Sequence, residues 1–210
     1  QFDAAGTWSP PSEVVADAST RAPRAPDVAM AASGQAVLAW RENGVSQNVP
    51  TRATIKVKRM AGGVWQSTDV ALVSDLPSPS GGARVQPRVV VNARGDALVI
   101  WTQEDNSLRA AVAPASGAWG APSVVKAADA TIFPREVPPI VAMDALGRAW
   151  VTWTQAPPGG NPDLYVNRYT AGGWQGATLH ENLDGPAESA TAPALAMNAR
   201  GEALVAWHQG

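Results

Sequence analysis

The chain has 210 residues, of which 45% are hydrophobic and 16% charged, and its formal net charge is −2. This near-neutral balance offers no cationic field for a phosphate backbone, so we expect no nucleic-acid partner. The absence of cysteine excludes disulfides, thiolate metal sites and a cysteine nucleophile.

A strand–turn–strand pattern occurs four times along the chain. Each copy begins on a proline, turns at a glycine eight residues later and ends on a tryptophan fourteen residues after the proline. The copies are Pro26 to Trp40, Pro87 to Trp101, Pro139 to Trp153 and Pro193 to Trp207. The glycine suits the positive φ of a tight hairpin turn, and the preceding Asn92, Asp144 and Asn198 suit the same turn. Repetition at a fixed spacing predicts a repeat architecture.

Each complete unit is predicted to contain four strands, A to D. In the first unit they cover 28–31, 36–40, 54–59 and 65–73; in the second, 88–91, 97–101, 108–113 and 119–125; in the third, 140–143, 149–153, 164–169 and 174–179. Strand C of the first unit alternates apolar and charged residues, as a half-exposed strand does. Pro, Gly and β-branched residues interrupt every window that could form an amphipathic helix.

A second signal, a glycine followed closely by tryptophan, recurs every 54 to 57 residues, at Trp8, Trp65, Trp119 and Trp174. Units of this length with four short strands are typical of propeller blades. We therefore predict an all-β fold, a β-propeller built from four repeats of about 50–60 residues, in a single domain 1–210. The repeats are placed at about 26–73, 86–125, 138–180 and 192–210 plus 1–16, with the last blade split between the termini.

The two ends together are too short to supply a full strand C for that last blade. Three alternatives follow: a segment of a larger ring, an imperfectly closed blade, or a ring completed by a homodimer or larger array. The start at Gln1 without a methionine suggests a processed, excised or partly covered chain. No run reaches the roughly 20 apolar residues that a membrane helix needs.

Eight of the nine tryptophans occupy repeat positions, and only Trp150 lies outside them. We expect these side chains to fill the seams between neighbouring blades, where each buries about 150–250 Å². The alternative is that some of them stack on sugar rings at the surface. The candidates for stacking are Trp8, Trp65, Trp119 and Trp174.

In a propeller the A–B and C–D turns lie on one face, here called the turn face, and the B–C and D–A connections lie on the other, here called the loop face. The loop-face segments 41–53, 74–86, 126–138, 156–163 and 181–192 are long and varied, which indicates a binding face. Its centre is predicted to be lined by Arg24, Arg84, Arg135 and Glu136. For each of these residues the alternative, and the more frequent case, is a solvated loop charge.

The linear pattern predicts no catalytic residue, no metal and no cofactor. His180 and His208 stand in different contexts, without a serine-nucleophile elbow or a metal-binding histidine pair. The acidic residues are scattered, so a glycosidase pair of carboxylates could only assemble in space.

The pattern of a Trp turn, a proline, an apolar strand, an Asn/Asp-x-x-Gly turn and a strand ending in Trp resembles the repeats of exported bacterial β-propeller proteins. It is similar, more distantly, to sialidase-type and propeller-lectin blades. The resemblance covers the whole chain and implies a secreted, periplasmic or cell-surface protein. The sialidase box Ser/Thr-x-Asp-x-Gly-x-x-Trp is not matched, because Asp3 to Trp8 lacks its spacing.

The main functional hypothesis is a non-enzymatic recognition or scaffold module that binds a glycan or a protein partner through the loop face. It follows from a frame that repeats without any single reactive group of residues. The alternative is a sialidase-like glycoside hydrolase or lyase on the same fold, with Arg135 and Glu136 at its mouth. A third hypothesis is an assembly component whose missing strand is donated by a partner.

Overall fold

The computed structural model describes residues 5, 7, 9–15, 21–46, 49–76, 86–103, 105–129, 131–132, 138–157, 159–179 and 188–210. In these ranges the regular elements are all β-strands, and none of them contains a helix able to cross a membrane. The strands form four antiparallel sheets that succeed one another along the chain. The sheets therefore follow the four sequence repeats in order.

The first two sheets correspond to the first two units. The first sheet contains β1 (Arg21–Met30), β2 (Ala36–Ser46), β3 (Val49–Ala61), β4 (Val64–Trp65) and β5 (Val70–Leu76). The second contains β6 (Arg88–Val91), β7 (Ala97–Thr102), β8 (Leu108–Ala113) and β9 (Ser123–Lys126). The order of pairing is that of a meander, since each long strand pairs with the next along the chain.

The last two sheets differ in size. The third contains β10 (Thr131–Ile132), β11 (Ile140–Met143), β12 (Ala149–Ala156), β13 (Asp163–Thr170), β14 (Gly173–Trp174) and β15 (Thr178–Leu179). The fourth contains β16 (Ala190–Met197) and β17 (Ala203–Gln209), paired as a single hairpin.

Two strand predictions need correction. Strand D of the first and third units is not continuous but splits into two short strands, β4 with β5 and β14 with β15. In the third unit the break coincides with Gly176, whose φ is +100°. The segment 41–53 is not an irregular loop either, because β2 and β3 continue to pair as far as Ser46 and Val49.

The A–B turns form as predicted. Gly34, Gly95, Gly147 and Gly201 have φ between +80° and +92°. In three units the side-chain Oδ1 of the first turn residue accepts hydrogen bonds from the backbone N–H groups two and four residues later, at 2.9–3.1 Å. These acceptors are Asn92, Asp144 and Asn198.

The sheets pack face to face through three seams, numbered in chain order. Because side chains alternate along a strand, one strand can serve two seams. In β7, Val99 and Trp101 pack into the first seam, whereas Leu98 and Ile100 pack into the second. Trp101 and Trp153 are 0% and 1% exposed within these clusters, so these two strand-B tryptophans fill seams.

The placement of the N-terminal residues differs from the prediction. Residues 9–15 form no strand, and Trp8 lies outside the described ranges. The carbonyl of Val14 accepts a hydrogen bond from Lys58 Nζ at 2.8 Å, and Ser9 and Pro10 line a cavity of about 580 Å³ with Trp65. This segment therefore lies against the first sheet, and the expected split of the last blade between the termini does not hold for residues 9–15.

Candidate functional site

Polar groups on the turn face are engaged with one another. Asp144 is 1% exposed and accepts hydrogen bonds from Leu146 N, Arg148 N and Arg148 Nε. Burial alone would raise the pKa of Asp144, but the hydrogen bonds from Arg148 and the backbone outweigh it, so the pKa lies below its usual value. The ion pairs Arg94–Asp96, at 2.8 Å, and Arg200–Glu202, at 3.0 Å, occupy the corresponding turns.

Arg59 clamps the first sheet to the turns of the second. Its guanidinium donates to the carbonyls of Gly95 and Ala115, both at 3.2 Å, and of Pro114, at 3.0 Å. It also lies over the ring of Trp119, 5.3 Å from the centroid. One face of Trp119 is therefore occupied by the protein's own cation.

Trp65 and Trp174 also lie on the turn face, since each follows a C–D turn. Trp174 packs on Tyr169 with ring centroids 5.2 Å apart and donates from Nε1 to Ser123 Oγ at 3.1 Å. Trp65 is half-buried beside the cavity formed with the N-terminal segment. Trp119 and Trp174 are thus held by protein partners, whereas Trp65 keeps an open cavity at its side.

The loop-face candidates are only partly described. Arg84, Arg135 and Glu136 lie outside the described residues. Arg24 lies on β1, at the end remote from the A–B turn. The candidate tryptophans and Arg24 therefore lie at opposite ends of the sheets, and the structure does not bring them together.

Arg24 has a neighbour that the sequence analysis missed. It is directly opposite Arg41 of β2, in the antiparallel register between the two strands. Side chains at such opposed positions point to the same face, and like charges placed there repel each other. No ion pair within the described ranges joins either arginine to a carboxylate. We refer to Arg24 and Arg41 as the arginine pair.

The two arginines differ in exposure. Arg24 is exposed and Arg41 is half-buried. Burial, and after it the positive charge of Arg24, lowers the pKa of Arg41 from its usual value. A guanidinium nevertheless stays protonated at neutral pH, so the pair carries two positive charges.

The first seam ends in unsatisfied polar atoms beside this pair. Val37 and Ala39 face the second sheet, so Arg41 and Asn43 face it too, because alternate residues of β2 share a side. Arg41 Nε and Asn43 Oδ1 are buried without a hydrogen-bond partner in the protein, as is Nε1 of Trp101 in the same seam. Each such atom costs about 1–3 kcal/mol.

The fourth sheet shows what stands at the same place in another unit. Thr191 of β16 is opposite His208 of β17, with Oγ1 and Nδ1 3.5 Å apart. Both hairpins carry a register shift before the proline, and the alanine at that point has φ near +48°, namely Ala25 in one and Ala192 in the other. The frame is the same, and the arginine pair stands where the fourth sheet has threonine and histidine.

Carboxylates bridged by lysine form a second charged group on the first sheet. Lys56 Nζ lies 2.8 Å from Glu42 and 2.7 Å from Asp69. The pKa of Asp69 lies below its usual value, chiefly because Lys56 donates a hydrogen bond to its carboxylate. A glycosidase acid needs a raised pKa instead, so this cluster is structural. Among the described residues no three His, Asp or Glu side chains gather as a metal site would require.

No protein-family model matches the chain, and no curated protein sequence matches it. Solved structures do resemble it. The GH93 α-L-arabinofuranosidase of Fusarium graminearum, in complex with arabinobiose, has a TM-score of 0.52 and 11% identity. The α-L-arabinanase of Penicillium chrysogenum, also with arabinobiose, has a TM-score of 0.52 and 10% identity. Each comparison covers 90% of this chain, and the chain spans 56% and 57% of those two structures.

These comparisons correct the main functional hypothesis. A non-enzymatic recognition or scaffold module is contradicted by this finding, because both similar structures are named as enzymes, an arabinofuranosidase and an arabinanase. They support propeller character without supporting the narrower sialidase-like repeats, and nothing in them supports a homodimer or a completed ring. The strand-only architecture, the successive antiparallel sheets and the structural likeness together establish an all-β propeller fold.

Proposed function

We propose that the chain is a segment of a glycoside hydrolase of propeller fold and that its glycan lies across the loop face, at the end of the first seam. The likeness to two arabinan-type hydrolases supports the reaction class, although at 10–11% identity it identifies the fold alone. The substrate and activity of the whole enzyme are part of the proposal, since the chain spans little more than half of each structure.

The turn face and the loop face differ in how their charged groups are paired, and this difference decides where we place the glycan. On the turn face, Asp144, Arg148 and their counterparts neutralise and hydrogen-bond one another. On the loop face, no ion pair among the described residues neutralises Arg24 or Arg41. Two guanidinium groups are therefore available there, and a saccharide rich in hydroxyl groups can hydrogen-bond to them.

Hydrolysis of a glycosidic bond needs two carboxyl groups, one as acid and one as base or nucleophile. Glu42 and Asp69 do not fit, because Lys56 binds both. We therefore keep Glu136 as the proposed acid or base at the mouth of the loop face, with Arg135 and Arg84 near it. The proposed ligand is a glycan, and the proposed location is outside the cytoplasm, as the resemblance to exported propellers implies.

The experiment is a turnover screen of the full chain on arabinan and on other plant and bacterial polysaccharides, read as new reducing ends. The key variant is Glu136→Gln, and the matched control is Glu202→Gln, which removes one carboxylate from the exposed turn face. We expect turnover to fall by at least about 100-fold in the first variant and to stay within twofold in the second.

Two results would count against the proposal. A folded wild-type chain without turnover on any polysaccharide removes the hydrolase assignment for this segment. Turnover that survives Glu136→Gln undiminished removes that residue from the site and leaves the reaction class standing.

A further inference from the structure

The hairpin of β1 and β2 has no evident structural need for the arginine pair. Two like charges placed opposite each other across antiparallel strands destabilise the pairing. The equivalent pair in the fourth sheet, Thr191 and His208, builds the same hairpin without two arginines. The residue that follows the strand-B tryptophan is threonine in the second and third units, at Thr102 and Thr154, and histidine in the fourth, at His208. Only the first unit carries arginine at this position.

The chemistry around the pair points to a planar anion. Arg41 presents a half-buried guanidinium, while Arg24 brings a second guanidinium from the exposed side. A guanidinium binds a carboxylate through two parallel charge-assisted hydrogen bonds. The nearest described acid on β1, Asp27, is engaged by Val89 N at 2.8 Å and by Arg88.

We infer that Arg24 and Arg41 bind the carboxylate of an acidic sugar, so that the glycan recognised at the loop face contains uronic acid residues. The inference rests on the proposed function only in taking the ligand to be a saccharide. Arg41 donates to the carboxylate from the edge of the seam, and Arg24 donates to it from the solvent side. A neutral sugar at this place would leave both charges uncompensated.

The test compares binding of trigalacturonate with that of its fully methyl-esterified, uncharged form, by calorimetry on the full chain. The variants are Arg24→Gln, Arg41→Gln and both together. The control is Arg200→Gln, which removes one positive charge from the turn face. A sulfated, uronate-free oligosaccharide is included to separate carboxylate from sulfate ester.

The expected result is binding of trigalacturonate and at least tenfold weaker binding of the ester. Arg41→Gln should weaken trigalacturonate binding about tenfold or more, and Arg24→Gln about threefold to tenfold, since a hydrogen bond to a charged group contributes about 1.5–3 kcal/mol. Arg200→Gln should change it less than twofold. The Nε resonance of Arg41 in the ¹⁵N spectrum should shift on binding, and Arg24→Gln should leave the unfolding temperature unchanged or higher because repulsion is relieved.

Contrary results separate this inference from the proposed function. Equal binding of acid and ester, tighter binding of the sulfated sugar, equal loss in Arg200→Gln, or no binding of trigalacturonate each overturns it. A chain that cleaves a neutral glycan and ignores trigalacturonate keeps the proposed function and refutes the inference. A chain that binds trigalacturonate through the arginine pair but cleaves no glycan supports the inference and refutes the proposed function. The ester comparison needs no variant, so a folding defect in Arg41→Gln cannot hide the answer.

Discussion

Replacement of Asp144 tests the account of the A–B turns most directly. Its carboxylate accepts from Leu146 N and Arg148 N, both at 2.9 Å, and from Arg148 Nε at 2.5 Å, with the side chain fully buried. Asp144→Ala removes all three contacts, including the charged one with Arg148, which we expect to lower the free energy of unfolding by about 3–5 kcal/mol. Asp144→Asn keeps an Oδ1 acceptor for the two backbone groups but loses the charge and the Oδ2 acceptor of Arg148 Nε, so about 1–2 kcal/mol is expected.

Asn92 and Asn198 make the asparagine variant informative, because they accept the same two backbone bonds in their own turns.

The pH dependence of the stability that Asp144 contributes has a definite sign. The pKa of Asp144 is lowered on folding, so its charge contributes stability above the unfolded pKa of about 3.9 and loses it as pH falls through the folded value. The gap between wild type and Asp144→Asn should therefore narrow as pH drops from 6 to below 4.

Urea unfolding followed by tryptophan fluorescence at pH 6.0 and pH 3.5 measures both effects. Asn198→Ala is the control, because the same turn contacts there are exposed and should contribute only about 1 kcal/mol. Equal losses in Asp144→Ala and Asp144→Asn would refute the reasoning, as would a gap that widens in acid.

Two further substitutions probe the turns and the seams. Gly201→Ala and Gly34→Ala both place a side chain at positive φ, which costs about 1 kcal/mol. The new Cβ at position 201 would also lie 2.4 Å from Arg148 Nη2, whereas a Cβ at position 34 would have no atom within 4 Å. Thermal unfolding should show the larger loss for Gly201→Ala, and equal losses would contradict the contact. Val205 lines a cavity of about 260 Å³ in the third seam. Val205→Leu, the residue found at the equivalent Leu38, should add up to about 0.8 kcal/mol, and a lower unfolding temperature would mean that the cavity cannot accept it.

The fold could be predicted because the four copies of the repeat agree with one another in their spacing. Four prolines, glycines and tryptophans at fixed offsets define hairpins, and the alternation within β7 shows why its two sides are both apolar: each meets a different sheet. The interrupted strand D was missed because a break after Trp65 or at Gly176 has no periodic sign. The extension of β2 to Ser46 was missed because its residues carry no alternating apolar pattern.

The candidate site was less predictable, since it depends on register. Arg24 and Arg41 are far apart in sequence, and they meet only because the register shift between Arg24 and Asp27 aligns the two strands. The departure from threonine after the strand-B tryptophan was the one sequence signal for Arg41. The main functional hypothesis came from a repeat frame without a reactive group of residues, and the likeness to two structures named as hydrolases overturned it.

Two arginines reach across the turn face in the same direction along the chain. Arg59 of the first sheet reaches Gly95 O of the second, and Arg148 of the third reaches Arg200 O of the fourth. Gly201 thus makes room for Arg148 of the preceding unit as well as for its own bend. A single unit transplanted elsewhere would bring a donor without its acceptor, so the smallest interchangeable module for engineering this fold is two consecutive units.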